Sequence, residues 1–504
     1  MKLILLNSKG STHMQIIAII FFLSLIFAAG IVFAGTVEFE GQTDVGKIKI
    51  PGSVTYDSKN NTYRITGSGE NMWGTEDAFY YVWKKAEGDL TLKIDVEWIG
   101  KGKQLHRKAG WMVRAGLEND DPYVDAVIHG DRLISMQYRI TKGGTTYEVQ
   151  SPLKAPATLL LERTGDQFTL TITKDGHVYP VGTITVELKG QLYAGLAVCS
   201  HDSTTSETAI LSNVSFAQSN IPADKRVVES TLEIINIESG ARQIVRRAKE
   251  HFEAPNWSRD GNTLFYNSGG KIYILPVKGG TPELINTGLA DRCNNDHGLS
   301  PDGKELVISN HGKDGKSLIY ILPSKGGDPR LVTKSGPSYW HGWSPDGRTL
   351  AYCAERNGEF DVYTISVNGG EETRLTTTPT LDDGPEYSPD GKYIYFNSVR
   401  TGQMKIWRMK PDGAEQTQVT PNDEYGDWFA HPSPDGKWIV FVSYDKNVEG
   451  HPANKNVVLR IMPASGGEPK ILATLLGGQG TINVPSWSPD SKMVAFVSYR
   501  LVAP

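Results

Sequence analysis

The sequence predicts an all-β protein in which a β-sandwich is followed by a six-bladed β-propeller, and three observations support this fold class. The tetrapeptide Ser-Pro-Asp-Gly, or a close variant, occurs six times in the second half of the chain. The residues between the copies form short β-type runs separated by Gly-rich turns. The first half contains alternating strands without helical periodicity. Tandem units of roughly 40–50 residues are typical of propeller blades.

Each tetrapeptide is predicted to form a type I turn between two strands of a blade. Ser can accept a backbone hydrogen bond, Pro presets the second position, and Gly suits the fourth. A β-type run follows each copy, and a second run leads to a Gly-Gly or Asp-Gly turn and a short polar strand. Each repeat therefore predicts four strands. The copies begin at Ser258, Ser300, Ser344, Ser388, Ser433 and Ser488.

The sixth repeat ends without its outer strands, and the chain before the first copy contains two suitable ones. Residues 231–237 and 243–245 are β-type runs that precede the first tetrapeptide. We expect them to complete the last blade and close the ring, because closure protects edge strands from pairing with other chains.

The N-terminus predicts export. Residues 14–34 are mostly apolar and follow Lys2 and Lys9, so residues 1–34 are predicted to be a signal peptide. The alternative is an uncleaved membrane anchor, because the run is just long enough to span a bilayer. In either case the folded part works in the periplasm or outside the cell, and this segment is its only predicted contact with a membrane.

Residues 35–217 show the alternating strands of a sandwich, and residues 218–227 form a polar linker to a propeller at 228–504.

The formal net charge of −5 argues against a nucleic-acid partner. The three cysteines lack CxxC spacing, so the predicted fold does not depend on a disulfide framework and the pattern argues against a thiolate metal site. The sequence also lacks a G-x-S-x-G nucleophile elbow, a phosphate loop and a dinucleotide-binding fingerprint.

The six tetrapeptides, often preceded by an aromatic residue, resemble the TolB-like propeller family. The resemblance covers about residues 228–504 and implies a periplasmic or secreted propeller that binds other macromolecules. Residues 108–116, 122–126 and 137–139 resemble concanavalin-like or laminin G-like jelly rolls, which implies a sugar-binding domain. Aromatic platforms for a sugar would then be Trp73, Tyr80, Tyr81 and Trp83. The alternative is that these aromatic side chains belong to the core.

Candidate site residues lie just before the tetrapeptides, where the inner strands should face the central channel. Three positions before the motif, most blades have Pro, but two have His297 and His341; in the fifth blade His431 lies one place later. His251, His311 and His451 are expected at the surface. The other channel-mouth candidates are Asp296, Asp382, Asp383, Glu386, Arg292, Arg356 and Gln479.

Three histidines converging on one channel would suit a divalent metal, with carboxylates as further ligands. The alternative is that His297, His341 and His431 bond to strand backbones or line a water-filled channel. Residues 341–347 are similar to a histidine-bearing repeat of oligogalacturonate lyases, which have seven blades. This resemblance implies a metal that polarises a uronate carboxylate while a base removes the neighbouring proton.

The longer spacing before the sixth copy comes from residues 444–456, a polar insertion that either forms a rim for a partner or substrate or has no role.

The leading functional interpretation is an exported binding or scaffolding module for a glycan or an envelope protein. The alternative is a metal-assisted lyase acting on acidic (uronate) oligosaccharides. Apart from the candidate channel metal, the sequence indicates no cofactor.

Overall fold

The computed structural model describes residues 37–504, and strands dominate this part of the chain. Its helical segments are two single 3-10 turns, Ala223–Lys225 and Gln479–Thr481. Among these residues, no helix combines the length and apolarity needed to cross a membrane. The predicted signal peptide, residues 1–34, lies outside the described residues.

The first part of the described chain is built from strands β1 to β16. Their bounds are β1 Gly41–Val45, β2 Ser53–Asp57, β3 Thr62–Gly69, β4 Met72–Trp73, β5 Glu76–Asp77, β6 Phe79–Ala86, β7 Asp89–Trp98, β8 Lys108–Arg114, β9 Tyr123–His129, β10 Ile134–Arg139, β11 Thr146–Gln150, β12 Thr158–Thr164, β13 Gln167–Lys174, β14 His177–Thr185, β15 Leu192–Cys199 and β16 Asp202–Ser219.

These strands form two antiparallel seven-stranded sheets, with β4 and β5 as a separate short ribbon. One sheet has the order β1-β6-β15-β8-β9-β10-β11, and the other has the order β14-β13-β12-β7-β16-β3-β2. Side chains of both sheets share one core, in which Trp111 of β8 is completely buried with Leu92 of β7 and Leu161 of β12. Burial of this apolar surface holds the two sheets face to face.

The second part of the described chain contains strands β17 to β39. Their bounds are β17 Val227–Asn236, β18 Arg242–Ala248, β19 Glu253–Trp257, β20 Thr263–Ser268, β21 Lys271–Pro276, β22 Glu283–Leu284, β23 Cys293–Leu299, β24 Glu305–His311, β25 Ser317–Pro323, β26 Arg330–Leu331, β27 Ser338–Trp343, β28 Thr349–Arg356, β29 Glu359–Ser366, β30 Thr373–Arg374, β31 Asp382–Tyr387, β32 Ile394–Ser398, β33 Lys405–Met409, β34 Thr417–Gln418, β35 Tyr425–Pro432, β36 Trp438–Asp445, β37 Lys455–Pro463, β38 Lys470–Gly477 and β39 Met493–Val502.

Within residues 227–504 these strands form the six blades of a propeller, as the repeats predict. Blades 1 to 5 are four-stranded sheets that start at β19, β23, β27, β31 and β35. Blade 6 consists of β39, β17 and β18, and Trp487 bridges to Val494 at its inner edge. The prediction that residues before the first repeat complete the last blade is confirmed, since β17 pairs with β39 from Val227↔Val502 to Asn236↔Met493.

Each tetrapeptide forms a tight turn that its own side chains stabilise. In blade 5, Gly436 N–H donates to the Ser433 carbonyl at 2.8 Å, and Ser433 Oγ donates to Asp435 Oδ1 at 2.7 Å. The same Oγ accepts the backbone N–H of Trp438 at 3.0 Å. Gly436 has φ +70°, a left-handed conformation that glycine adopts without strain. The turn therefore fixes how each inner strand enters its blade.

The sandwich and the propeller lie within one compact unit. Arg500 of β39 donates to Glu162 of β12 at 2.5 Å and to Glu229 of β17 at 2.6 Å. Thr185 at the end of β14 donates to Asn456 of β37 at 2.8 Å. Polar contacts from two blades therefore join the sandwich to the propeller.

Candidate functional site

A cavity of about 550 Å³, here called the channel cavity, lies where the inner strands of the propeller converge. Side chains of all six blades in the described chain line it. Blades 1 to 6 contribute, in order, Glu253, Asp296, His341, Asp383, His451 and Gln479. A site assembled from six sequence repeats is a typical ligand-binding position, because the rigid strands hold its side chains in place.

Bulges in the inner strands direct these side chains. The pairing of β19, β23, β27, β31 and β35 with the next strand shifts register within each inner strand. Four residues before the motif, Ala254, Gly384 and Phe429 have φ of +56°, +62° and +55°. A left-handed conformation is uncommon for alanine and phenylalanine. The bulges therefore interrupt the usual alternation of side chains where the strands face the channel.

His341 and Asp383 form a buried pair in this cavity. His341 Nε2 lies 3.3 Å from Asp383 Oδ1, and the imidazole stacks on Phe429 with ring centroids 5.8 Å apart. Burial alone would lower the pKa of His341, but Asp383 and Asp296 outweigh burial and raise it. Burial opposes ionisation of Asp383, yet His341 lowers the pKa of this carboxyl to about 2. The pair therefore favours the imidazolium–carboxylate form.

Asp296 is the second buried carboxyl of the cavity. Its Oδ1 accepts Asn483 Nδ2 at 2.6 Å, whereas its Oδ2 is buried without a hydrogen-bond partner. Burial raises the pKa of Asp296 to about 6, although His341 acts in the opposite direction. An unsatisfied buried carboxylate oxygen is costly, and a ligand donor could satisfy it.

Glu253 provides a third carboxyl at the cavity wall. Burial raises its pKa, and Asn295 Nδ2 lies 3.5 Å from its Oε2. In the described structure, the residues that line the channel cavity include three carboxylic acids but no lysine or arginine. The cavity therefore favours a cationic group over an anionic one.

The other two predicted histidines lie outside the channel cavity. His297 is completely buried, with Nδ1 3.1 Å from the Asn295 carbonyl, and burial lowers its pKa to about 4. His431 has partners for both ring nitrogens, Glu386 Oε2 at 2.6 Å and the Ile482 carbonyl at 2.7 Å. Glu386 lines a second cavity of about 320 Å³. This cavity lies at the other end of the inner strands, and prolines of the tetrapeptides also line it.

The structure does not bring His297, His341 and His431 together as one ligand set. Within residues 37–504, no group of three or more His, Cys, Asp or Glu side chains is arranged to hold a metal ion. His431 has no ring nitrogen left for a metal, because each one already has a partner. His297 bonds to the backbone of its own strand, as the alternative interpretation holds, whereas His431 bonds to the Glu386 side chain and to the loop carbonyl of Ile482.

Three further candidates have structural contacts away from the channel cavity. Arg400 Nη2 donates to both carboxylate oxygens of Asp382, at 3.0 and 2.9 Å. Arg356 pairs with Glu372 at 2.6 Å. Arg292 is exposed and donates to the Gly312 carbonyl. These residues stabilise strand ends and loops, and only Asp296, His341, Asp383 and Gln479 of the channel-mouth candidates line the channel cavity.

Two cavity residues were expected at the surface. His311 and His451 both line the channel cavity, and the His451 ring packs edge-on against Trp428 with centroids 4.5 Å apart. His451 belongs to the insertion between β36 and β37, so this insertion contributes to the cavity rim. The unusual length of the insertion is the feature of the sequence that could have indicated a role for His451 in the cavity. No comparable feature of the sequence marks Glu253.

The predicted aromatic platforms of the sandwich have different environments. Tyr80 and Tyr81 are buried, and the hydroxyl of Tyr81 lies 2.9 Å from both the Met112 and Tyr193 carbonyls. Trp83 is partly buried and packs edge-on against Tyr193 at 5.1 Å. Trp73 is the exposed member of the four, with 39% of its surface accessible. Tyr80 and Tyr81 therefore belong to the core and cannot form a sugar platform.

Comparison with known proteins identifies relatives of the propeller. The family description "TolB beta propeller domain" (PD40) matches residues 340–501. An uncharacterised protein of Agrobacterium fabrum, Atu1656, is 52% identical over 273 residues, which cover 54% of this chain and 93% of that protein. A solved structure from Agrobacterium tumefaciens, provisionally named TolB, is 51% identical, with a TM-score of 0.53 and coverage of 55% and 99%.

A more distant similarity concerns the lyase alternative. The oligogalacturonate lyase of Vibrio parahaemolyticus is 12% identical, with a TM-score of 0.37 and coverage of 80% of this chain and 99% of the lyase. A similarity of this size carries no argument about activity.

Proposed function

Because this chain belongs to the TolB-like family of β-propellers, we propose that it is an exported binding and scaffolding protein. Its partner is an envelope protein that places a basic side chain in the channel cavity. The predicted signal peptide, residues 1–34, supports action in the periplasm or outside the cell. In this proposal the N-terminal sandwich is a concanavalin-like or laminin G-like jelly roll that serves as a second binding domain.

The observation that carries the proposal is the composition of the channel cavity. Glu253, Asp296 and Asp383 supply its carboxyl groups, and no lysine or arginine is present among its lining residues in the described chain. His341 Nε2 lies 3.3 Å from Asp383 Oδ1, so the imidazolium offsets the negative charge of this carboxylate. Asp296 and Glu253 remain as acceptors for a guanidinium or ammonium group, and a hydrogen bond to a charged group contributes about 1.5–3 kcal/mol.

The size of the cavity also fits this proposal. Its volume of about 550 Å³ lies within the range of small-molecule sites and can hold a long side chain with adjoining backbone. The rim includes His451 from the insertion and His311 from the end of β24, so a longer polypeptide would contact loops as well as the cavity. Steering by the acidic cavity would speed the encounter with a basic partner.

The lyase alternative has less support. A uronate substrate needs a cationic partner for its carboxylate, whereas the described residues that line the channel cavity include three carboxylic acids and no lysine or arginine. The three histidines on which the predicted metal depended do not share a site among the described residues. His341 and Tyr339 lie in the cavity and have acid–base chemistry, but the arrangement does not provide the electrophile of the predicted mechanism.

Selection from a phage-displayed library of short random peptides tests the proposal. Peptides selected on the wild-type protein should be enriched in Arg and Lys. They should bind the Glu253→Gln/Asp296→Asn double variant at least about tenfold more weakly, because two acceptors of the cation lose their charge. Glu283→Gln is the matched control, since Glu283 is an exposed carboxylate on β22 outside the cavity.

Enrichment of acidic peptides, or no enrichment on the wild-type protein, would contradict the proposal. Equal binding to the double variant would also contradict it, because the cation would then have another site.

A further inference from the structure

A third cavity, of about 260 Å³, lies on the sandwich and is separate from the two propeller cavities; it is called the sheet cavity here. It sits on the face of β8, β9, β10 and β11 that points away from the shared core. Core residues such as Trp111 and Ala126 alternate along these strands with residues of the sheet cavity. Its lining residues include Trp73, Lys108, His129, Gln137, Glu148 and Gln150.

The strand register assembles the polar groups of this face. Lys108 of β8 is opposite His129 of β9, and Gln137 of β10 is opposite Glu148 of β11. Gln137 Nε2 donates to Glu148 Oε1 at 2.7 Å, and Lys108 Nζ donates to Asn71 Oδ1 at 2.8 Å. Opposed residues of neighbouring strands are close enough for such pairs, so polar side chains of four strands lie side by side in the floor of the cavity.

Two side chains of this floor have buried polar atoms without partners. Gln137 is 1% exposed and its Oε1 has no hydrogen-bond partner, and His129 is 3% exposed with an unpartnered Nδ1. Buried polar groups are nearly always satisfied, and each exception costs about 1–3 kcal/mol. Both residues line the sheet cavity, so a ligand bound there can satisfy them.

The charges of the floor nearly cancel. The Lys108 ammonium and the Glu148 carboxylate line the same cavity, and although burial lowers the pKa of Lys108, Asp125 and Glu148 oppose this shift. Asp125 lies beneath them, and its complete burial raises its pKa well above the usual value, which favours the neutral acid. Burial lowers the pKa of His129 to about 4, so its imidazole is neutral near pH 7. A ligand without net charge therefore fits this floor better than a uronate or an amine.

We propose that the sheet cavity binds one neutral sugar ring of a glycan. Hydroxyl groups both donate and accept, which matches the amides of Gln137 and Gln150, the imidazole of His129 and the Lys108 ammonium. Trp73 stands at the rim with 39% of its surface exposed, and Lys108 Nζ lies 5.5 Å from the centre of its ring, so a sugar ring that packs on the exposed indole would also lie near this ammonium. The cavity volume of about 260 Å³ is just below the usual range for drug-sized ligands, which suits a single ring.

Calorimetric titration of the full protein with methyl glycosides tests this site. The panel contains the neutral methyl glycosides of glucose, galactose, mannose, xylose and N-acetylglucosamine, together with methyl glucuronide. At least one neutral glycoside should bind with a Kd of about 10 mM or below, and methyl glucuronide should bind more weakly. Trp73→Ala and Gln150→Ala should each weaken binding at least about fivefold, through lost stacking and lost hydrogen bonds.

The variants are chosen so that loss of folding does not obscure the result. Trp73 and Gln150 are both exposed, and thermal denaturation confirms the fold of each variant. Tyr147→Ala is the matched control, because Tyr147 is an exposed aromatic residue of β11 whose neighbours Glu148 and Thr146 point to the opposite face. This control should leave the affinity unchanged.

The proposal is overturned if no neutral glycoside binds at concentrations up to about 100 mM. It is also overturned if methyl glucuronide alone binds, or if binding is unchanged in Trp73→Ala and Gln150→Ala. The titration with glycosides does not use the peptides that are selected on the propeller. Either proposal can therefore fail without the other.

Discussion

Asp296 and Asp383 are two buried carboxyl groups of the channel cavity, and their ionisation has opposite effects on the stability of the fold. Asp383 has His341 as a direct partner, and its pKa falls to about 2, below the unfolded value of about 3.8. Asp296 accepts a hydrogen bond from the Asn483 amide, but burial outweighs this bond and the influence of His341 and raises the pKa of Asp296 to about 6. Ionised Asp383 therefore stabilises the fold above about pH 4, whereas ionisation of Asp296 destabilises it as pH rises from about 4 to 6.

Neutral substitutions should consequently have opposite effects. At about pH 7, Asp296→Asn should raise the free energy of unfolding by about 1–3 kcal/mol, because it removes an uncompensated buried charge. Asp383→Asn should lower it by a similar amount, because His341 loses its anionic partner. Urea denaturation at about pH 7 and pH 4 measures both, and the gain in Asp296→Asn should vanish at the lower pH. Destabilisation by both variants at pH 7 would contradict this assignment.

The residue pattern predicted a site near the tetrapeptides but not which residues form it. His297 and His341 occupy the same position relative to the motif. His297 pairs with Ile308 in the ladder, whereas His341 lies in the bulge between Trp340 and Gly342 and faces the channel cavity. A one-residue change of register reverses the face on which a side chain lies, and nothing in the sequence marks the position of the bulge.

The turn between strands is the element that the sequence predicted best. Its Ser, Asp and Gly act through contacts within a few residues, so a local pattern is sufficient. The Asp of the motif accepts the backbone N–H two residues later, as in Asp435 and Lys437 at 3.1 Å. These aspartates are therefore part of the turn. The bulges, by contrast, occur at Ala254 and Phe429, residue types that do not indicate a left-handed conformation.

The turn contacts predict the effect of removing one hydroxyl. Ser433→Ala should lower the free energy of unfolding by about 1–2 kcal/mol, because the N–H of Trp438 and the Asp435 carboxylate lose their contacts with Ser433 Oγ. Chemical denaturation measures the change. The control is Ser465→Ala, an exposed serine of the same blade, which should change stability by less than about 0.5 kcal/mol. An equal effect of the two substitutions would show that the hydroxyl contacts are unimportant.

At the scale of the whole molecule, ring closure brings distant residues into one site. Asp296 and Asn483 are 187 positions apart and form a 2.6 Å hydrogen bond in the closed propeller. The repeat period predicted the closure, but not the side-chain pairs that it creates. The net charge of −5 also gave no indication of an acidic cavity, because the charge of a chain of 504 residues averages over its whole surface.

The two binding sites proposed here belong to different parts of one compact unit. The sheet cavity lies on the sandwich and the channel cavity on the propeller, and Arg500 links Glu162 of the sandwich to Glu229 of the propeller. Such an arrangement suits a scaffold that holds a glycan and a protein at the same time. The cation site of the propeller is the basis of the proposed function, because the family assignment and the three carboxyl groups of the channel cavity both concern that domain.

Calorimetric titration with N-acetyl-arginine amide tests this claim most directly. The amide should bind at about pH 7.5, and its affinity should fall at least about threefold at about pH 5, where Asp296 takes up a proton. Asp296→Asn should reduce this pH dependence and weaken binding at the higher pH. N-acetyl-glutamate amide should not bind. Binding of the glutamate derivative alone, or affinity for the arginine derivative that is the same at both pH values, would contradict the account.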